Sequence, residues 1–340
     1  MKNSINHTTN YTYSIYNVTL IFDKNLTSSH YHAVQVPLPL YVMFMVFTAI
    51  VGAIGNLLVL FVILRMRGSK SYTNLMILNL TVSDLAVTLF CIPFDIPLLV
   101  EGKWIYGKMF CSLYYPIGSA QLFSSVFTLV NITYVRFYAI CYPFKEQPSI
   151  GHAKVMIFVI RLCSTALVVP IVIVLKYDKE KQVCFEDWDE ITGRFYTIIV
   201  FLLGYAIPLA TITIGYCRIV QERWIKKDIE GCLQNEYTLK ENWMLVKLSV
   251  AVTVTFGLCV LPNQLVFLLY NFANLEKYQH HLDLLMGSHM LLFLYCAINP
   301  MIYNRFSEQS RRGVHSLIQG ITENFRLTVR TSRRYTMNSL

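Results

Sequence analysis

Charge is scarce in this chain. Only 14% of its 340 residues are Asp, Glu, Lys or Arg, against 55% hydrophobic, and the mean hydropathy is +0.46. Soluble domains carry about 25% charged residues, so the composition excludes an ordinary globular domain. The marks of an enzyme are lacking too. There is no pair of metal ligands at helical spacing, no nucleophile elbow and no phosphate-cradling loop. His280 and His281, like His30 and His32, lie outside the apolar blocks and read as solvated. An internal repeat and paired broken spans, the marks of many transporters, are absent from the sequence. Residues 1–25 hold no apolar run, so no secretory leader is expected and the first apolar block is expected to direct insertion.

What is present is apolar length. Seven blocks stand out, at 38–64, 73–99, 109–134, 155–175, 195–220, 244–272 and 284–303. Each is long enough, at about 1.5 Å per residue, to cross about 30 Å of hydrocarbon. Lipid offers no partner to free backbone groups, so the spans must be helices. The sequence therefore predicts an all-α membrane protein, a seven-transmembrane helix bundle over 38–305. A tail at 1–37 precedes it, and a short cytoplasmic amphipathic helix at 306–318 and a tail at 319–340 follow. With the N-terminus outside, the inner segments hold nineteen Lys and Arg and the outer segments nine. This bias predicts an extracellular N-terminus and a cytoplasmic C-terminus in the plasma membrane. It also accounts for the net charge of +9 without nucleic acid, since a basic cytoplasmic face suits anionic membrane lipids. Four glycosylation sequons at Asn6, Asn10, Asn17 and Asn25 agree with that orientation. Two more, at Asn79 and Asn131, fall inside spans and read as chance matches.

Of nine cysteines, only Cys111 and Cys184 fall at or beyond the outer surface, where disulfides form. They are expected to pair and to draw the loop between the fourth and fifth spans across the bundle mouth. Inside the spans lie polar residues that a passive anchor does not need: Asn56, Asp84, Ser125 and Asn299. A buried intramembrane acid is costly and faces the bundle interior. These four either form one cluster around a small cation or water, or hold helices together by hydrogen bonds.

Several motifs in chain order resemble the rhodopsin-like (class A) G-protein-coupled receptors, over residues 38–318. They are "GN" with Asn56, "NLTVSD" with Asp84, "WIYGKMFC" with Trp104, Gly107 and Cys111, Pro208 followed by Tyr216, "FGLCVLP" with Phe256, Cys259 and Pro262, and "NPMIY" with Asn299, Pro300 and Tyr303. The resemblance implies a receptor that takes an extracellular ligand and activates heterotrimeric G proteins, with arrestin and a receptor kinase as further partners. It implies a sodium ion as allosteric modulator at Asp84, Ser125 and Asn299, and no other cofactor. Pro208, Pro262 and Pro300 become hinges, since each removes a backbone bond from its helix. Tyr216 and Tyr303 match tyrosines that swing inward on activation. Arg136 matches the arginine that meets the G protein; read without the family, it would as readily snorkel to lipid headgroups.

The chain departs from the family at several places. Val135-Arg136-Phe137 stands where the family writes Asp-Arg-Tyr, so the acid that restrains the arginine is missing. Asn242 occupies the place of a second acid in some members, with Glu241 adjacent. A weakened off-state and raised basal signalling are expected. Val260 replaces the sixth-span tryptophan, and Arg161 the fourth-span tryptophan. A charge inside a span costs about 2.5–3.5 kcal/mol on insertion scales, so Arg161 is expected to snorkel inward or to pair.

The ligand is bounded by exclusion. The seventh span has Phe293 where an opsin needs a lysine, and Gly118 stands where aminergic receptors place an aspartate. The loop between the fourth and fifth spans is acidic, with Asp178, Glu180, Glu186, Asp187, Asp189 and Glu190, and Asp95 lies near the mouth. This field either steers a cationic ligand or is simply solvated. The "CIPF" stretch and the Trp104 loop most resemble neuropeptide receptors. A peptide ligand, basic or amidated, is expected, with Trp104, Tyr114, Tyr115, Asp187, Trp188, Tyr270 and Phe293 either lining its cleft or packing the core. A ligand-binding decoy with weak or constitutive signalling is the alternative, and a transporter stands behind it.

Overall fold

The computed structural model describes residues 37–65, 71–230, 236–273, 275, 278, 280–307, 310–316, 319 and 322; the side chains of 223–242 lie outside the description. The N-terminal sequons, the C-terminal tail, and the side chains of Glu241 and Asn242 therefore fall outside it.

Seven helices are long and apolar enough to cross a membrane. They are α1 (Leu38–Arg65), α2 (Tyr72–Glu101), α3 (Gly107–Cys141), α4 (Ile150–Val174), α5 (from Glu190 through Ile207–Glu230), α6 (Glu236–Ala273) and α7 (His281–Phe306). A further helical stretch, 310–316, follows Ser307. In it Ser310 and Gly313 are buried while Arg311, Arg312 and His315 are exposed, so one side of it packs against the protein.

The N-termini show how sequence starts these helices. Ser71 accepts from the Asn74 N–H at 3.2 Å to cap α2, and Ser149 caps α4 with His152 returning to the Ser149 N–H. Asp189 caps α5 by accepting from the Thr192 N–H at 3.0 Å. Hydrogen bonding from Thr192, first from its side chain and then from its N–H, holds the Asp189 carboxyl below the usual carboxylate range. The cap is thus complete near neutral pH and weakens as pH falls through the depressed value.

Helix α3 is the axle of the bundle. It packs against α2, α4, α5 and α6, while α1 packs on α7 and α7 on α6. One large apolar core joins all of them, with Met76 and Ile132 in a smaller cluster between α2, α3 and α4. Small residues set the closest approaches. A Cβ on Gly52 would stand 2.6 Å from Thr88 Cγ2, and one on Gly55 2.6 Å from Pro300 Cγ. Glycine at these positions lets α1 lie against α2 and α7.

Two spans contain a π turn, at Val87–Cys91 in α2 and Leu202–Ala206 in α5. Each lies just before a proline, Pro93 and Pro208, and the Ile92 and Ile207 N–H groups reach back five residues, to the carbonyls of Val87 and Leu202. Proline lacks an N–H and its ring crowds the carbonyl four residues back; widening the preceding turn by one residue relieves that contact. Pro262 and Pro300 instead sit within α-helical segments.

Between α4 and α5 the chain forms an antiparallel hairpin, β1 (Leu175–Asp178) and β2 (Val183–Glu186), pairing Lys176 with Phe185 and Tyr177 with Cys184. Cys184 is disulfide-bonded to Cys111 at the start of α3, with 5.8 Å between Cα atoms, as the sequence predicts. The Trp104 N–H donates to the Gln182 carbonyl at 2.7 Å, so the loop after α2 is tied to the hairpin as well.

Candidate functional site

At the hairpin end, Asp95 on α2 is buried and accepts a short hydrogen bond from the Tyr114 hydroxyl on α3. Aromatic rings enclose the pair. Phe94 lies 6.0 Å from Tyr114, and Trp104 lies 5.2 Å from Tyr114 and 5.9 Å from Tyr115. Trp104 is fully buried and Tyr115 is 1% exposed. These residues form a packed plug beneath the hairpin rather than the surface of an open cleft. Gly118 and Phe293 are buried too. Tyr106 borders the plug, and burial, then the nearby Asp95, raises its phenol above the ordinary range.

The hairpin's charges are more satisfied than the sequence suggests. Asp187 pairs with Lys176, and Glu190 with Arg194 at 2.8 Å. Asp178 accepts from the Glu180 and Lys181 N–H groups. Trp188 donates from Nε1 to Glu186 at 2.6 Å and stacks on Tyr196 at 4.8 Å. Across the mouth, Tyr270 meets His281 edge-on at 6.3 Å, and Asp283 lies 3.6 Å from His280. No group of His, Cys, Asp and Glu suited to a metal occurs among the described residues.

Midway through the bundle, the Asn299 amide donates to Asp84 at 2.9 Å, joining α7 to α2. Asn56 donates to the carbonyls of Gly52 and Cys296, both at 2.9 Å, joining α1 to α7. The Oδ1 atoms of Asn56 and Asn299 are buried and without a hydrogen-bond partner among the described residues. An acid with neutral amide oxygens fits a small hard cation or water. Ser125 is buried on α3 but has no hydrogen bond to Asp84.

The structure brings together a second polar group that the sequence reading missed. Arg161 on α4 donates from Nε to Asn79 Oδ1 at 2.8 Å, from Nη2 to the Asn79 carbonyl at 3.0 Å, and from Nη1 to Gln121 Oε1 at 2.5 Å. Asn79 in turn donates to Thr128 at 2.8 Å and Ser124 at 3.4 Å. Arg161 thus pairs with neutral amides of α2 and α3. The signal was present: Asn79 and Ser83, and Gln121, Ser124 and Thr128, recur at helical spacing on two adjacent spans. Both span sequons are buried; Asn131 accepts from Tyr72 at 2.8 Å.

At the far end Arg136 is buried near the end of α3. Thr133, one turn earlier, donates to Tyr216 of α5 at 3.2 Å. Tyr303 is buried, and its hydroxyl has no hydrogen-bond partner among the described residues. Val135 lies in the small apolar cluster with Tyr72, Met76, Ala153 and Ile160. The position of the missing acid is therefore an apolar contact between α2, α3 and α4. Val260 is fully buried in the main core.

A family profile described as "7 transmembrane receptor (rhodopsin family)" matches residues 55–303. The chain is 32% identical to the Homo sapiens neuropeptide FF receptor 1 over 313 residues, 85% of this chain and 72% of that protein. It is 28% identical to the Danio rerio galanin receptor 2b, covering 78% and 71%, and 27% identical to the Mus musculus neuropeptide Y receptor type 6, covering 79% and 77%. Among solved structures, squid rhodopsin superposes with a TM-score of 0.71 at 24% identity, over 84% of this chain and 87% of that one.

Proposed function

Because the chain belongs to the rhodopsin family of seven-transmembrane receptors, we propose that it is a plasma-membrane receptor that binds a peptide and activates heterotrimeric G proteins. One observation carries the ligand class: two of these relatives are named as neuropeptide receptors, for neuropeptide FF and neuropeptide Y, and a third as a galanin receptor. In this reading the N-terminal tail and the hairpin face outward and the C-terminus faces the cytoplasm. The peptide docks above the Trp104–Tyr114 plug, where Trp188, Tyr270 and the acidic residues of the rim favour a basic or amidated chain.

Binding at the hairpin end acts on α5, α6 and α7 through Pro208, Pro262 and Pro300, and uncovers Arg136, Tyr216 and Tyr303 to the G protein. Asp84, Ser125, Asn56 and Asn299 form a sodium site; the partnerless amide oxygens support this, and the ion would favour the resting arrangement. Arrestin and a receptor kinase act on the phosphorylated C-terminal tail, and membrane lipids surround the bundle. With an apolar contact where an acid would restrain Arg136, the resting state is weakened and basal coupling is raised.

Nucleotide exchange on G proteins tests this, in membranes expressing the chain, the Arg136→Ala variant or empty vector, without and with a panel of amidated basic peptides. Basal exchange above vector, lost in Arg136→Ala and stimulated by a peptide, is the expected result. Exchange at vector level under every peptide, with intact surface expression, overturns the proposal.

A further inference from the structure

The outer flank of α3, α4 and α5 holds a cavity of about 1030 Å³ at the end away from the hairpin, at the upper limit of ordinary ligand pockets, roughly 300–1,000 Å³. Its walls are apolar, with Phe127 from α3, Met156 and Val159 from α4 and Ile214 from α5. Its rim is polar, with Glu146 and Gln147 in the loop before α4, His152 in the first turn of α4, and Arg218 on α5. From Met156 to Cys163 the α4 wall runs seven residues, about 10 Å deep at 1.5 Å per residue.

The position of the cavity says what reaches it. In α4 and α5 only 22% of the span window is buried inside the protein, less than in any other span, so these helices present most of their surface to the bilayer. Val159 and Ile214 are exposed there. An aqueous peptide would have to cross hydrocarbon to arrive; an acyl chain is already in it. The rim lies where α4 begins, at the level where headgroups sit. Arg218 is exposed there, with Lys145 and Lys154 beside the rim residues in sequence. Glu146 opposes them, so the balance at the rim is cationic but not strongly so.

We infer that this cavity is a binding site for one anionic phospholipid, its acyl chain between α3, α4 and α5 and its phosphate on Arg218. Bound there, the lipid would bridge α4 to α5 beside Thr133 and Tyr216, where Gly215 already brings α5 so close to α3 that a Cβ would stand 2.7 Å from Thr133 Cγ2. The inference rests on the membrane-spanning fold and not on G-protein coupling, so the two readings can fail separately.

The test uses the full receptor in nanodiscs containing a phosphatidylserine with a photoreactive acyl chain, and maps the labelled peptides by mass spectrometry. Label concentrated on residues 127–163 and 211–218 is expected, falling several-fold in Val159→Trp, which fills the cavity. Ile214→Trp, from the opposite wall, does the same if the first variant folds poorly. Val155→Trp, on the exposed face of α4 outside the cavity, keeps the label and serves as the folding control. Arg218→Gln lowers the preference for phosphatidylserine over the matching phosphatidylcholine probe by about fivefold. Even labelling of all lipid-facing helices, or label that survives both tryptophans, overturns the site. Label from a photoreactive free fatty acid but not from the phospholipid overturns the assignment of the occupant.

Discussion

Arg161 shows how a single side chain is read differently with and without its neighbours. Its guanidinium donates three bonds to Asn79 and Gln121 and, among the described residues, none to an acid. Removing one partner of a part-buried charge costs more than removing both groups, because the first leaves the charge uncompensated. Asn79→Leu is therefore expected to lower thermal stability by several degrees, and the Asn79→Leu/Arg161→Leu pair to recover most of it; additive losses in a double-mutant cycle would show that the contact carries no energy. Tyr114→Phe removes the donor to buried Asp95 and is expected to cost about 1–3 kcal/mol, read as a fall in melting temperature of the purified receptor. Val135→Asp is expected to lower basal nucleotide exchange at equal surface level. The sequence disclosed the identity of these residues but not their surroundings. Asn79 reads as a chance sequon until α4 lays Arg161 beside it, and whether Trp104, Tyr114 and Tyr115 line a cleft or pack the core stays open in the sequence until the hairpin closes over them. Burial of that kind depends on contacts between spans, which period and composition do not encode.

The elements were the most legible part. Apolar length placed all seven spans, because hydrocarbon thickness fixes the minimum and lipid enforces the helix; α3, α5 and α6 run seven to ten residues past their apolar blocks at one end. The two bonded cysteines were legible for a chemical reason, since only one compartment oxidises thiols. The π turns were not legible. Pro93 and Pro208 signal a disturbance, but Pro262 and Pro300 carry the same signal inside α-helical segments. The choice depends on packing, as at Gly204, where Phe123 of α3 stands 3.0 Å from the place a Cβ would take. Within the α5 turn, Tyr205 donates to the Gly257 carbonyl of α6 at 2.9 Å. Tyr205→Phe is expected to lose one hydrogen bond, about 0.5–1.5 kcal/mol, and to speed hydrogen exchange in 202–208 and around Gly257 while leaving α1 unchanged. Uniform acceleration over the whole bundle would show that the bond has no local role.

At the scale of the molecule, the two ends of the bundle differ in construction. The hairpin end is closed by covalent and aromatic contacts, and the far end by packed helices around Arg136. The Cys111–Cys184 bond, with a sequence separation of 73, joins the start of α3 to β2. A crosslink of this span is worth about 2–5 kcal/mol when native, and Cys184→Ser is expected to reduce both surface expression and peptide response. The same bond makes residues 111–184 a closed circuit of chain that includes all of α3 after its first turn, all of α4 and most of the hairpin. One protease cut inside that circuit, at the exposed Phe144–Gln147 loop for example, separates no mass. The nicked receptor should run as one species on a denaturing gel until a reductant is added, and only then as two.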